Sequence, residues 1–494
     1  MAQLRRLRSS DRELFALISQ AAFENPFGVR RLRLDAEITE SPEDDPTWVQ
    51  RMLERVGARI RSLDPAGGVT PRAFISEDSE IVEHTLLFEI FHRFADRFDE
   101  LIERQQVASP SVVRVEFASD FLRELSELGI ADERARRLLE LFYQMRRAYY
   151  FIARGLIGKS SAMQRLRVSL WDAVFTCNIG RYERYLWNRM EDFSTLLLGE
   201  TGTGKGAAAA AIGFSGFIPF DEKQGAFVHG LKAGFVPIHL NEFPETLFES
   251  EIFGHRKGSF TGAIENYDGA LARCPAFGSV FFDEIGEATL PVQVKLLRVL
   301  QDRVYSPVGS RESRRFSGRI LAATHRSVAD LRERGALRDD FFYRLCSNVI
   351  HVPSLEQRLS ERPAELAELV AHVCVRIAGD VGAELASEVT STITRDLGDG
   401  YAFAGNVREL EQCVRRVLLT GSCARDSLLV RSHGQKLASE LLSGTLSADA
   451  VIERYCALLY ERDKSYVKVA RRTGLDRRTV KKYVAYAERH AHEA

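Results

Sequence analysis

The chain has 494 residues, enough for roughly three domains, and a formal net charge of -1 from 68 Lys plus Arg against 69 Asp plus Glu. Near-neutrality excludes a broadly basic nucleic-acid or anionic-membrane binder, so any such partner must meet a local patch. A composition of 45% hydrophobic and 28% charged residues argues against a fibrous or largely disordered chain. The seven cysteines are scattered without a C-x-x-C pair, which disfavours a disulfide framework or structural zinc site and fits a reducing, cytoplasmic compartment. Neither a signal-peptide core nor a run of eighteen apolar residues is present, so no membrane partner is expected.

Residues 1–155 read as an α-rich domain. The acidic, proline-containing stretch from Glu37 to Pro46 reads as a loop. Leu87, Phe91, Phe94, Phe98, Leu101 and Ile102 recur at helical steps, which predicts one amphipathic helix. Ala135, Leu138, Leu139, Leu141, Phe142 and Met145 predict a second. Aromatic stripes of this kind are core far more often than ligand boxes. No alternation of strands with strand-end aspartates suggests a phosphorylated receiver domain.

The middle of the chain alternates short apolar runs with helical patterns, the mark of a parallel α/β sheet. The runs are Thr195 to Leu198, Phe235 to Leu240, Ser279 to Phe282 and Arg319 to Ala323. The first leads into Gly199-Glu200-Thr201-Gly202-Thr203-Gly204-Lys205 and a short helix predicted over Ala207 to Ile212. Strand, glycine loop, lysine and helix in this order form a phosphate-binding loop. Backbone N–H groups and the helix N-terminus surround phosphate oxygens, and Lys205 reaches the β and γ phosphates. Gly206 stands where a Ser or Thr magnesium ligand is usual, so that ligand must come from elsewhere. Val280-Phe281-Phe282 ends in Asp283-Glu284, placing two carboxylates beside the loop. Asp283 is the candidate Mg2+ ligand and Glu284 the group that polarises water, which makes ATP hydrolysis the leading reaction.

Between these halves lies Glu249-Ser-Glu-Ile-Phe-Gly254-His-Arg-Lys-Gly258-Ser-Phe-Thr-Gly-Ala263, with Phe260 and Thr261 on a glycine-bracketed loop tip. The segment resembles the ESELFGH…GAFTGA signature of sigma-54-dependent transcriptional activators, which are AAA+ ATPases. Over roughly residues 156–420, four further stretches carry the same resemblance. They are Gly199 to Lys205, Phe282 to Glu287 with Lys295 to Gln301, Leu337 to Leu345, and Gly405-Asn-Val-Arg-Glu-Leu410.

The resemblance implies a AAA+ P-loop α/β core (156–355) with a helical lid (356–425). It matches Arg338 and Arg344 to arginine fingers acting in a neighbouring subunit, hence a homo-oligomer, dimers assembling to a hexamer. Such a finger is worth roughly three to five orders of magnitude in rate. It matches Arg408 to the sensor II arginine and Phe260 and Thr261 to the pair that engages sigma-54 RNA polymerase when ATP is bound. The departures are His325 at the sensor I asparagine, His239 at the asparagine that controls the catalytic glutamate, Gly206, and Phe403-Ala404 before the lid motif. Asn241 lies two residues after His239 and is expected on the same side of that strand. The two histidines read as hydrogen-bonded core rather than metal ligands. Gly213 to Gly234 and Cys177 to Asp192 are longer than usual in the family.

After a polar break near Ser422 to Ser432, residues 440–494 end in VKVARRTGLDRRTVKKYV (467–484), a helix, a turn at Thr473-Gly474-Leu475, and a second helix capped by Asp476. Residues 466–494 carry eight Lys/Arg and three Asp/Glu, a local charge of +5. The segment also resembles the Fis-like helix-turn-helix of the family, with Arg477, Arg478, Thr479, Lys481 and Lys482 as candidate contacts to double-stranded DNA. The expected whole is a multidomain α/β protein that hydrolyses ATP, binds upstream DNA and opens the sigma-54 promoter complex. Its rival is a DNA-binding regulator that keeps the AAA+ fold as an oligomerisation scaffold.

Overall fold

The computed structural model describes residues 4–42, 47–64, 68–108, 111–333, 337–423, 437, 441, 446–463 and 465–490. Two compact units emerge, Met1–Ser391 with Asp399–Leu419, and Thr392–Gly398 with Thr420–Ala494. Residues 43–46 of the acidic stretch and 424–432 of the polar break lie outside the described residues.

The first unit opens with helices α1 (Ser9–Phe23), α2 (Val29–Thr39), α3 (Trp48–Leu63), α4 (Ser76–Arg93), α5 (Ala95–Ala108), α6 (Ala118–Glu127) and α7 (Asp132–Gly155). The stretch expected as a loop from Glu37 is therefore helical through Thr39. The single helix expected over Leu87 to Ile102 is two, α4 and α5. Phe94 interrupts them and turns its buried ring edge-on to Phe121, 5.2 Å away between centroids. Helices α1 to α4 enclose one apolar core, including Phe15, Ile18, Leu34, Ile38, Met52, Val56 and Phe88. Helices α4 to α7 enclose another around Phe98, Phe121, Leu139 and Tyr143. Helix α7 carries Asp132 and Glu133 in its first turn and Arg154 in its last, each complementing the helix dipole.

The chain continues through α8 (Ser161–Phe175) and the short α9 (Ile179–Arg181) into β1 (Thr195–Leu198) and α10 (Lys205–Gly213). It then forms β2 (Phe220–Asp221), β3 (Ala226–Phe227), β4 (Phe235–His239), α11 (Phe248–Phe253), α12 (Ala270–Arg273), β5 (Ser279–Asp283) and α13 (Leu290–Asp302). There follow β6 (Val304–Tyr305), β7 (Arg314–Arg315), β8 (Arg319–Thr324), α14 (Val328–Glu333), α15 (Asp339–Leu345) and β9 (Asn348–His351). Five strands pair in parallel in the order β4-β5-β8-β1-β9. Helices cover both faces, which is why β1, β5 and β8 are almost uninterrupted buried apolar runs. This is the expected α/β core. One expectation fails at β4, which ends at His239, so Asn241 sits in a following 3-10 turn (Leu240–Glu242) and strand alternation does not govern where it faces.

The long stretch after α10 has a definite use. The β2–β3 hairpin (Phe220 opposite Phe227) packs Ile218, Phe220, Phe227 and Leu231 into the core of α4 to α7. Phe227 stacks on Tyr143 with centroids 4.0 Å apart, and the Phe220 N–H donates to Glu140 Oε1 (2.9 Å). One turn further along α7, Gln144 Nε2 donates to the Ser215 carbonyl (3.0 Å) and Gln144 Oε1 accepts the Tyr182 hydroxyl (2.9 Å). Arg147, only 1% exposed, donates to the carbonyls of Phe214 and Gly216, both at 2.7 Å. These carbonyls follow the C-terminus of α10, where a cation is favoured. The other long stretch, Cys177 to Asp192, supplies Tyr182 to the same joint and Trp187, which stacks under Arg137 at 3.6 Å.

Beyond β9 come α16 (Leu355–Glu361), α17 (Glu365–Ala378), α18 (Gly382–Leu397) and α19 (Asn406–Thr420). In the second unit, α20 (Ala448–Asp463), α21 (Tyr466–Thr473) and α22 (Arg477–His490) pack around Cys456, Leu459, Val469, Val480 and Val484. Gly474 ends α21 in the left-handed conformation (φ 72°) that lets the chain reverse within three residues. Asp476 accepts the N–H groups of Arg478 (2.7 Å) and Thr479 (3.1 Å), the expected cap. Among the described residues, no helix is long and apolar enough to cross a membrane.

The buried joint predicts that Arg147→Met, which keeps the stem but leaves two buried carbonyls unpaired, destabilises the first unit by roughly 2–4 kcal/mol. Thermal unfolding and limited proteolysis check this, and unchanged stability would mean that the joint contributes little.

Candidate nucleotide site and contact surfaces

The loop between β1 and α10 is shaped by glycine backbone and closed by its lysine. Gly202 and Gly204 have φ of 82° and 100°, a region that L residues avoid, and a Cβ on Gly202 would come within 2.4 Å of the Gly405 carbonyl oxygen. Lys205 starts α10 and is 7% exposed; its Nζ donates to the carbonyls of Gly199 (2.8 Å) and Glu200 (3.1 Å). Burial pushes its pKa down, and Glu284 and Asp283 partly offset that. Thr203 Oγ1 donates to Glu200 O (2.9 Å) and stiffens the turn. A Cβ on Gly206 would meet nothing within 4 Å, so space for a hydroxyl-bearing residue exists and only the hydroxyl is missing.

Asp283 closes β5 opposite His239 of β4, whose Nδ1 lies 3.2 Å from Asp283 Oδ2. Glu284 follows with φ 56°, a strained conformation for a residue with a side chain. Its Oε2 lies 2.7 Å from His325 Nδ1 and accepts the His325 N–H (3.3 Å), while Oε1 lies 3.9 Å from Lys205 Nζ. The histidines are therefore not core residues. Both side chains are 46% exposed and each partners one carboxylate, because the strand ends carry them to the rim of the cleft.

The cleft is about 760 Å3, within the range of ligand sites. Its lining includes residues 201–206, Asp283, Glu284, His239, His325 and Arg408 of α19. The same lining includes the apolar Leu156, Ile157, Met163, Leu166, Leu369 and Val373 as well as Arg358, Arg376 and Glu411. Cationic side chains and a glycine loop together with apolar lining suit the triphosphate and the base of a nucleotide. Asp283 is the carboxylate that would hold Mg2+ here, a single carboxylate being the kind of donor that ion takes beside phosphate oxygens and water.

Two devices that hold this cleft escaped the sequence reading. The first is Asn406, buried with φ 54°, in a conformation asparagine tolerates better than most side chains. Its Nδ2 donates to Glu200 Oε2 (2.9 Å) and Thr201 O (3.2 Å), its Oδ1 accepts the Leu355 N–H (2.7 Å), and the Val407 N–H donates to Gly202 O (3.1 Å). The first turn of α19 is thus latched to the phosphate loop. An asparagine between glycine and a helix start was the available signal. The second is the buried pair Arg358–Glu365 (2.5 Å). Arg358 Nη2 donates to Ile157 O (2.6 Å), and Glu365 Oε2 accepts the N–H groups of Lys159 (2.9 Å) and Ser160 (2.7 Å). It fixes the segment that forms the apolar wall.

The remaining predicted residues lie elsewhere. Arg338 precedes α15 and pairs with Asp340 (Nη2 to Oδ2, 2.8 Å); Arg344 is exposed in the last turn of α15. Neither lines the cleft of its own chain. Phe260 and Thr261 are exposed on a loop closed by two reciprocal backbone bonds between His255 and Tyr267 (2.9 Å each), and the Phe260 ring stands edge-on to His255 at 5.0 Å. Arg477, Arg478, Lys481 and Lys482 are exposed on α22. Thr479 differs: its hydroxyl donates to Asp476 Oδ2 and belongs to the cap.

Residues 183–351 match the family model of the Sigma-54 interaction domain. The chain is 34% identical over 303 residues to the Nif-specific regulatory protein of Azotobacter vinelandii, covering 60% of this chain and 53% of that one. It is 33% identical over 324 residues to the response regulator protein PilR of Pseudomonas aeruginosa, covering 65% and 63%. It is also similar, at 20% identity and a TM-score of 0.40 over 72% of this chain and 76% of the other, to a crystal structure of NtrX from Brucella abortus in complex with ATP. The chain spans about half the length of the curated relatives it matches.

The latch predicts that Asn406→Ala weakens binding of an ATP analogue about tenfold, one to two kcal/mol, by freeing both the loop and the lid. Equilibrium titration with a fluorescent nucleotide measures it; wild-type affinity would show that the latch does not shape the site.

Proposed function

We propose, for a chain that carries the Sigma-54 interaction domain and whose relatives are sigma-54-dependent enhancer-binding activators, an ATP-hydrolysing activator of transcription. On this reading residues 1–155 regulate, 156–355 and 356–425 form the ATPase and its lid, and 440–494 bind upstream DNA. The observation that carries it is the convergence of Lys205, Asp283, Glu284 and Arg408 on one cleft that also has apolar lining. Lys205 gives up its loop carbonyls to meet the β and γ phosphates, and Arg408 meets the γ phosphate from the lid. Asp283 would hold Mg2+, which when bound neutralises charge on the phosphate oxygens. Glu284 Oε2 is engaged by His325, so Oε1, which faces the loop, is the atom we assign to orient and polarise the attacking water.

The arginines act in trans. Arg338 sits on the surface in an exposed ion pair with Asp340, a type of interaction that is easily exchanged for another. Arg338 and Arg344 of one subunit would then serve the cleft of the next in a hexameric ring. Nucleotide state moves the Phe260-Thr261 tip against sigma-54 polymerase, converting a closed promoter complex to an open one. Arg477, Arg478, Lys481 and Lys482 anchor the ring to DNA. The scaffold reading draws on Gly206 and His325, which depart from the family at the nucleotide. It requires no function for the exposed loop tip.

Glu284→Gln is expected to bind ATP normally while steady-state turnover falls at least about a hundredfold; normal turnover would remove Glu284 from its role. Thr261→Ala should keep hydrolysis and lose ATP-dependent open-complex formation with sigma-54 polymerase. Full transcription by that variant would favour the scaffold.

A further inference from the structure

Only the inner side of the long stretch from Cys177 to Asp192 is committed to the fold. Asn178 caps α9 by accepting the Arg181 N–H (2.8 Å), and the helix runs on as one π-helical turn, Tyr182–Leu186. Ile179 and Tyr182 are buried, with Tyr182 edge-on to Phe175 at 5.2 Å. On the outside, Arg181, Arg184 and Tyr185 are exposed within one turn, at the spacing of neighbours on a helix surface. Arg189 is exposed just beyond, where its N–H donates to the Leu186 carbonyl (2.9 Å). The nucleotide chemistry uses none of these residues.

The charges of this face are unmatched. Among the described residues, no carboxylate lies within ion-pair distance of Arg181, Arg184 or Arg189. Glu183, the carboxylate of the same turn, is half-buried, and burial raises its pKa against the pull of Arg134, Arg137 and Arg184. The arginines around this stretch behave otherwise. Arg134 pairs with Glu83, Arg136 with Glu222 (3.7 Å), Arg303 with Asp192 (3.2 Å) and Arg315 with Glu191 (3.3 Å). In a chain whose net charge is -1, the turn is therefore a local cationic surface. Charge selects an anion, and Tyr185 narrows the choice. Its ring is 61% exposed, with the Arg184 guanidinium 6.0 Å from the ring centre. An acidic peptide would match the arginines and leave the ring without a partner. In a duplex the base faces are already stacked on one another. An unpaired strand offers both phosphates for arginine and a free base face for tyrosine.

We propose that this face binds single-stranded nucleic acid without regard to sequence, Arg181, Arg184 and Arg189 meeting phosphates and Tyr185 stacking on a base. It uses none of the helix-turn-helix residues and needs no nucleotide in the cleft. The binding stands by itself. Only the source of the strand, DNA unpaired in an open promoter complex, rests on the activator reading above.

The test measures fluorescence anisotropy of labelled oligo(dT) with the full chain over a range of salt. Combined Arg181→Ala, Arg184→Ala and Arg189→Ala should weaken binding at least about tenfold. It should also lower the slope of log affinity against log salt by about two, each single-strand phosphate contact contributing about 0.7. Tyr185→Ala should lose about tenfold and keep the slope, the size of one stacked base. Thermal midpoints near wild type confirm that both variants fold. With 5-iodouracil in the strand, photocrosslinking should mark residues 181–189. Full affinity in either variant, or crosslinks confined to residues 466–494, overturns the site. Duplex binding should be the same in the wild type and the triple variant; an equal loss there overturns single-strand recognition. Displacement of oligo(dT) by oligoglutamate of equal charge overturns the nucleic-acid assignment. Oligo(dT) should bind as well as oligo(rU); binding of oligo(rU) alone overturns the opened promoter as source and keeps the site. Absence of ATP turnover refutes the ATPase reading and leaves these binding results intact.

Discussion

Helix α10 is only nine residues long, and each end is held by a side chain from a distant part of the sequence. At its start Asn406 bonds the phosphate loop; just beyond its end Arg147 bonds the carbonyls of Phe214 and Gly216. The loop cannot move without disturbing one or both. A buried guanidinium on two carbonyls tolerates little displacement, because each lost bond leaves a buried polar group unpaired. The N-terminal helices and the lid are consequently tied to the same short element, and that element carries Lys205.

This arrangement gives the family departures a physical setting. The asparagines that the family resemblance leads one to expect near Asp283 and Glu284 are replaced by His239 and His325, and each imidazole rests on one carboxylate at the rim of the cleft. The carboxylates are still held and their polarity is kept. The extended stretch after α10 is a docking hairpin, which places part of the core of the N-terminal helices within the sequence of the α/β core. A cut within α7 would therefore break both the joint and the wall of the nucleotide cleft, since α7 runs unbroken from Asp132 to Gly155.

The parts legible from sequence were those where backbone chemistry dictates residue type. A phosphate loop needs glycine at Gly202 and Gly204, a buried parallel strand needs a run such as Val280 to Phe282, and a tight helix-turn-helix needs Gly474 and a cap such as Asp476. The rest was hidden for identifiable reasons. Strands of two residues, as in Phe220 to Phe227, have no periodicity to read. Helix α1 buries Asp11, and α4 buries Asp78 to accept the Leu7 N–H (2.9 Å) and pair with Arg12 (2.7 Å), so charge falls where apolar residues were sought. The facing of His239 and His325 depended on where two strands end, and the role of Asn406 on a fold-level contact between residues some two hundred positions apart.

Helix α10 and its loop thus tie the cleft, the lid and the N-terminal helices into one unit that should respond together to nucleotide. Hydrogen exchange of the full chain, with and without Mg2+ and a slowly hydrolysed ATP analogue, tests this most directly. Added protection is expected in residues 199–206 and 405–411 together with altered exchange in 140–147 and 214–216, outside the cleft. Changes confined to the cleft, with 140–147 and 214–216 unmoved, would contradict it.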